Sequence, residues 1–154
     1  MTGAPAATPR SPSKARLRLW LALLRATRGI EAELRNRLRL HYGVTLPRFD
    51  VLAALYRFES GMLMSELSRF LMVSNGNVTG IVDRLVEDGL VLRTARRGDR
   101  RASVVRLTAM GRERFAELAA AHEGWVDELL GPLEPGDAAA MSEGLATLRR
   151  RERG

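Results

Sequence analysis

The stretch Ser74–Leu85, SNGNVTGIVDRL, constrains this chain more than any other. Val78, Ile81, Val82 and Leu85 recur at three- and four-residue steps, the period of one helix face. Ser74 is suited to cap the helix at its start, and Gly89 in EDGL to stop it. Yet Gly76 and Gly80 stand inside it, and each costs a helix interior about 1 kcal/mol relative to alanine. At about 100° per residue the four apolar side chains share one side. Gly76, Gly80, Asp83, Arg84 and Glu87 then fall opposite, with Asn77 and Thr79 on the flanks. Two uses fit so bare a face. It lets the backbone approach the floor of a DNA major groove, where Asn75, Asn77 and Thr79 reach base edges or phosphates. An Asn reads adenine through a bidentate pair worth about 1–3 kcal/mol of discrimination. Alternatively, the glycines permit tight packing against another helix.

The neighbours sharpen the choice. MSELSRFL predicts a short helix with Met64, Leu67, Phe70 and Leu71 inward, followed by a brief turn into the glycine-bearing helix. Beyond Gly89, LVLRT and SVVRL are β-type runs joined by ARRGDRRA, with Gly98 at its centre, which predicts a hairpin. Arg96, Arg97, Arg100 and Arg101 crowd that loop around Asp99. Their guanidinium groups repel one another unless an anion arrives, and narrow minor grooves attract inserted Arg. A solvated charge run is the alternative. A helix–turn–helix followed by a basic hairpin describes a winged helix–turn–helix.

Helical patterns flank this unit. One runs from about Ser13 to Gly43 through Leu17, Trp20, Leu21, Leu24, Leu34 and Leu38. A second starts at Pro47, carries Phe49, Leu52, Ala53 and Tyr56, and ends at Gly61. Downstream, Thr108 caps a long helix with Phe115, Leu118, Ala119, His122, Trp125, Val126 and Leu129 inward. Pro132 and Pro135 break it, and a last helix over about 137–152 carries Met141, Leu145 and Leu148. Residues 1–13 hold Pro5, Pro9 and Pro12 and are expected to form a flexible arm. The predicted fold is mainly α with a small β-hairpin wing.

Charge and composition narrow the function. The formal charge is +7 and the sequence pI about 11.2, which favours a polyanionic partner. Lys14 is the only lysine, and the arginine bias reflects genome composition as well as function. With no cysteine there is no disulfide, thiolate metal site or thiol switch. No apolar run approaches the roughly 20 residues that span a bilayer, so no membrane partner is expected. The N-terminus lacks the apolar core of a signal peptide, and a cytoplasmic location is expected. His41 and His122 lack ligand spacing, so neither a metal nor a cofactor is expected. No nucleophile elbow, phosphate loop or carboxylate pair appears, and no enzyme is expected.

From about Leu46 to Gly111 the chain resembles the MarR family of bacterial winged-helix regulators. The resemblance rests on LPRFDVLAAL, on MSELSRFLMVSNGNVTGIVDRLVEDGLV, and on GDRRASVVRLTAMG. Its most specific element is Asp99-x-Arg101, followed six residues later by LTAMG, the family's L-T-x-x-G. With the flanking helices it covers nearly the whole chain after residue 14. It implies a homodimer on double-stranded DNA, with residues 14–43 and 108–152 as the helical dimerisation region and 44–107 as the DNA-binding lobe. It further implies that Ser74, Asn75, Gly76, Asn77 and Thr79 approach the major groove, that Ser65 and Gly80 also belong to the DNA-binding set, and that Arg84 is a phosphate or support residue. Arg96, Arg97, Arg100 and Arg101 would enter the minor groove. Asp83, through Arg101, and Asp99 would brace the wing. A surface pair of little energetic worth is the alternative for Asp83 and Arg84. Many relatives carry bulky or basic residues where Gly76 and Gly80 stand, so their contacts do not transfer directly.

Family members are commonly repressors released by a small molecule, often an aromatic acid. The hydroperoxide-sensing branch needs a cysteine and is excluded. RLWLALLRATRGIEAELRNRLR and YGVTLPRFDVLAALYR, with VSNGNVTGIVDRL, look most like regulators of aromatic-acid catabolism, some of which answer to hydroxycinnamoyl-type CoA thioesters. Trp20, Arg25, Arg28, His41, Tyr42 and Phe49 would supply rings and cations for such an effector. Trp20 and Phe49 also fit a plain core, and Arg25 and Arg28 fit surface pairs with Glu31 and Glu33. The expected function is a ligand-responsive repressor on a pseudo-palindromic operator. A constitutive architectural DNA-binding protein shares the same charge and wing.

Overall fold

Three hydroxyl caps and two kinds of turn lay out the chain. The computed structural model describes residues 11–149, with the side chains of Arg100 and Arg149 excepted. Most of the expected N-terminal arm and the end of the last predicted helix therefore lie outside the described residues. Helix α1 spans Pro12–Tyr42. It starts at Pro12 because proline is preorganised for a first helical turn. Thr45 caps α2, Leu46–Arg57, by accepting from the Arg48 N–H at 3.4 Å. Strand β1, Met62–Leu63, leads directly into α3, Met64–Leu71, and then α4 covers Asn75–Glu87. The wing is β2, Val91–Arg96, and β3, Asp99–Leu107. Thr108 opens α5, Ala109–Leu130, and α6 spans Pro135–Arg149.

The sheet is antiparallel in the order β1-β3-β2. Both wing strands reach further into the arginine loop than the sequence suggests, leaving Arg97 and Gly98 at the tip. The register steps from Ala95 opposite Ser103 to Arg96 opposite Asp99, so residues 100–102 bulge on the β3 side.

One apolar core joins all of this. Leu38 of α1, Val51, Leu52 and Leu55 of α2, Leu67 of α3, and Val78, Val82 and Leu85 of α4 are buried with Val105 of β3 and Leu118 of α5. The stripe predicted for α4 is thus the face that meets the core. Phe70 is a correction: it is 46% exposed and packs edge-on against Phe58 rather than pointing inward. Its place in α3 lies about 100° from the middle of the stripe made by Met64, Leu67 and Leu71. Ser68 is buried instead.

Thr108 joins α5 to the wing. Its hydroxyl donates to the Gly89 carbonyl at 2.7 Å and accepts from the Gly111 N–H at 2.9 Å. Gly111 lies so close to β2 that a Cβ there would collide with the Leu90 carbonyl. This approach accounts for the glycine of LTAMG. Further along, Arg37 of α1 reaches Glu128 of α5 at 2.7 Å while holding Glu33 at 2.7 Å. Glu33 is therefore taken by Arg37 rather than by Arg28 or Arg25.

Candidate nucleic-acid interface

The outer face of α4 is built from its first turn. The Ser74 hydroxyl accepts from the Asn77 N–H at 3.4 Å, and the Thr79 hydroxyl donates to the Asn75 carbonyl at 2.8 Å. Thr79 consequently offers its oxygen only as an acceptor. Ser74, Asn75, Gly76, Asn77, Thr79 and Gly80 are all exposed. A Cβ added at Gly76 or Gly80 would meet nothing within 4 Å. Packing of the strip against another helix of the same chain is thereby removed as its explanation.

A trough runs along each side of α4. One, of about 320 Å³, lies among α3, α4 and β3, and is lined by Ser65, Asn75, Thr79, Asp99, Arg101 and Ser103. The other, of about 630 Å³, lies where α2 starts beside α4, and is lined by Thr45, Arg48, Gly76, Asn77, Gly80 and Arg84. The helix is thus a smooth ridge between two depressions, one beside Arg101 and the other beside Arg48 and Arg84. Arg96 and Arg97 project from the exposed wing tip, while the side chain of Arg100 lies outside the described residues.

One pairing differs from expectation. Asp83 pairs with Arg93 of β2, not with Arg101, at 2.6 Å. One turn past Thr79, Asp83 faces the root of the wing, whereas Arg101 lies out by the bulge. The backbone N–H of Arg101 instead donates to the Asp99 carboxylate at 2.9 Å. Asp83 still ties the helix to the wing, and Asp99 shapes the loop. Thr45, Arg48 and Ser103 also border the troughs, and no motif or spacing pointed to them. Arg48 stands on a helix whose apolar stripe draws the eye elsewhere, and only the approach of α2 to α4 brings it in.

The candidate effector residues do not gather in one place within the chain. Trp20, Arg25 and Arg28 lie exposed on the first half of α1. His41 is 13 positions beyond Arg28 in the same helix, about 20 Å away at 1.5 Å per residue. His41 and Tyr42 meet Trp125 of α5, at ring separations of 5.7 and 6.0 Å. The Arg114 guanidinium lies 5.4 Å from the centre of the Tyr42 ring. Arg114 is a cation that the sequence reading missed. Phe49 is buried, as a core residue should be, and stacks on His122 at 4.5 Å.

Burial pushes the His122 pKa below the ordinary histidine value of 6.5. The unfolded chain therefore takes up a proton more readily than the folded one. The stability this site contributes is full above the ordinary value and is lost as pH falls through it toward the depressed one. In His122→Phe the loss of melting temperature between about pH 7.5 and about pH 5.5 should be smaller than in the wild type. Equal losses in both proteins would contradict this assignment.

Chemically, the face can accept a polyanion. Among the described residues no cluster of His, Asp and Glu could hold a metal ion, and no helix is long and apolar enough to cross a membrane. The family model described as MarR family matches residues 42–102. The transcriptional activatory protein BadR of Rhodopseudomonas palustris is 38% identical over 95 residues, which cover 60% of this chain and 49% of BadR. The match therefore spans about half the length of that relative. A MarR family transcriptional regulator from Silicibacter pomeroyi is 31% identical, with a TM-score of 0.76 over 95% of this chain and 99% of that one. The transcriptional regulator BldR from Sulfolobus solfataricus is 27% identical, with a TM-score of 0.81 over 92% of this chain and 99% of that one. By its motifs, its winged fold and these matches, the chain belongs to the MarR family of DNA-binding transcriptional regulators, which are not enzymes.

Proposed function

We propose that the chain is a homodimeric, sequence-specific repressor that binds a pseudo-palindromic operator and is released by a small aromatic acid or its CoA thioester. The observation that carries this is the uncovered glycine strip of α4 between two troughs. A helix with its side chains is about 10–12 Å across, which nearly fills the major groove. Bare at Gly76 and Gly80, α4 can seat deeper, so that the short side chains of Asn75, Asn77 and Thr79 reach base edges. Ser65, Ser74 and Arg84 then meet the flanking phosphates, and the wing arginines enter the minor groove.

The dimer is supported by apolar surface on the outer helices. Leu17, Leu19 and Leu21 of α1 are exposed with Trp20, itself 56% accessible, as are Met141, Leu145 and Leu148 of α6. An apolar cleft of about 520 Å³ lies between the two helices. Contiguous apolar surface of this kind marks an association site. Residues 14–43 and 108–152 thus form the dimerisation region, residues 44–107 form the lobe, and Trp20 belongs to the seam. Two-fold symmetry then sets half-sites about 34 Å apart.

The effector reading is supported at the other end of α1. Tyr42, His41 and Trp125 offer rings, and the Arg114 cation beside the Tyr42 ring, paired with Glu117 at 3.0 Å in the free chain, would exchange that partner for an aromatic carboxylate. The site lies between α1 and α5, at the end of α1 that leads through residues 43–45 into α2 of the lobe. A ligand there can change lobe spacing with a coupling of about 1–3 kcal/mol.

The test is a binding titration at physiological salt. The wild type should prefer a duplex selected from a random pool over random duplex by about 10³-fold or more. Arg101→Ala should remain a dimer and lose roughly 10- to 100-fold, the scale of a charge-assisted contact. An unchanged affinity would reject the wing's role, and the absence of any preference would favour an architectural protein. Aromatic acids and CoA esters that fail both to stabilise the protein and to release the duplex would set the effector aside. BadR is named as an activator, so in vitro transcription decides the sign: more transcript on adding protein would overturn repression.

A further inference from the structure

The turn between α3 and α4 reverses the pattern of the helix that follows. Where the backbone would accept a side chain, at Gly76 and Gly80, there is none. Where it favours glycine, there is a methionine. Met72 caps α3 in the left-handed region with φ 57°, and among the described residues it is the one non-glycine with positive φ. Glycine is the usual occupant of that position because any Cβ is strained there. Its side chain is also 90% exposed, so folding draws no burial from it.

The turn is held firmly. The Met72 N–H donates to the Arg69 carbonyl and the Val73 N–H to the Ser68 carbonyl, both at 3.2 Å. The buried Ser68 hydroxyl in turn donates to the Val73 carbonyl at 2.6 Å. Val73 is itself exposed and borders the trough that contains Gly76, Asn77 and Gly80. Met72 thus projects from a fixed turn two residues before the Ser74 cap, and its neighbour Val73 shares a trough with the glycine strip. Backbone strain retained without a folding benefit marks a functional position.

We propose that Met72, with Val73 beside it, is a further DNA-binding residue. It packs on the apolar deoxyribose wall of the major groove and sets how deeply α4 enters. An unbranched thioether suits such an irregular apolar surface. The proposal rests on the DNA-binding reading above and adds an uncharged contact to it.

The test compares Met72→Gly and Met72→Leu with the wild type, as full chains, on a duplex selected from a random pool by the wild type. Met72→Gly should fold at least as stably and bind about tenfold more weakly, a loss on the scale of one apolar contact. Its dependence of affinity on salt should match the wild type, because no phosphate charge is involved. Met72→Leu should keep most of the affinity. Full affinity in Met72→Gly would overturn the proposal, including the case where that variant binds DNA normally but fails in transcription with RNA polymerase, which would assign the side chain to a protein partner. A changed salt dependence would also overturn it, by placing the loss at displaced charged contacts. A wild type that selects no duplex would instead sink the DNA-binding reading itself.

Discussion

Gly80→Leu is expected to give a well-folded protein that has lost its operator. In the free chain the added side chain enters open space, as at Gly76. Even Gly80→Ala should gain about 1 kcal/mol of helix stability, raising the melting temperature by about 2–4 °C in a chain of this size. On DNA the same atoms stand between the helix and the groove floor. Leucine there lifts Asn75, Asn77 and Thr79 from the base edges. Losing two such contacts, at about 1–3 kcal/mol each, weakens selected-duplex binding by roughly 100-fold or more. Non-specific binding, carried by the arginines, should fall much less. Thermal unfolding and a paired titration check both halves. A Gly80→Leu protein that binds like the wild type would place the recognition surface elsewhere.

Gly111→Ala should show the opposite pattern. By helix propensity alone it should stabilise α5. Its Cβ, however, would collide with the Leu90 carbonyl, which already accepts from the Thr108 N–H at 3.0 Å. To make room, α5 must move off the wing, and both bonds of the Thr108 hydroxyl stretch with it. Overpacking of this kind costs about 1–3 kcal/mol, and the weakened capping adds about 1 kcal/mol. The melting temperature should fall by roughly 5–10 °C, and it should not recover in the presence of saturating DNA to the level of the DNA-bound wild type. A melting temperature at or above the wild type would show that the close approach is easily relaxed. Gly80→Leu and Gly111→Ala thus separate a surface kept bare for a partner from one kept bare for the fold.

Much of this was legible in the sequence because it depends on local order. The α4 stripe, its Ser74 cap and the Thr108 cap follow from spacing and from hydroxyls at helix starts. The wing was legible as two β-type runs around Gly98, though its strands run closer to the tip than the runs suggest. Strand β1 was not legible, since two residues carry no alternation. Periodicity shows which face a residue occupies but not which distant element lies beneath it. Arg93 as the partner of Asp83, and Arg48 beside the glycine strip, depend on such approaches. The effector residues do not lie together within one chain for a related reason: shared position on a helix face says nothing of the distance along it. The strain at Met72 was hidden because φ is not written in residue type when the residue is not glycine.

Hydrogen exchange across residues 72–82 of the wild-type protein, with and without a selected duplex, bears most directly on whether the bare side of α4 is a seat for DNA. The amides of the first turn of α4 should exchange rapidly in the free protein and slow markedly in the complex, while those of α6 stay unchanged. First-turn amides already protected in the free protein, or unaffected by bound DNA, would contradict it.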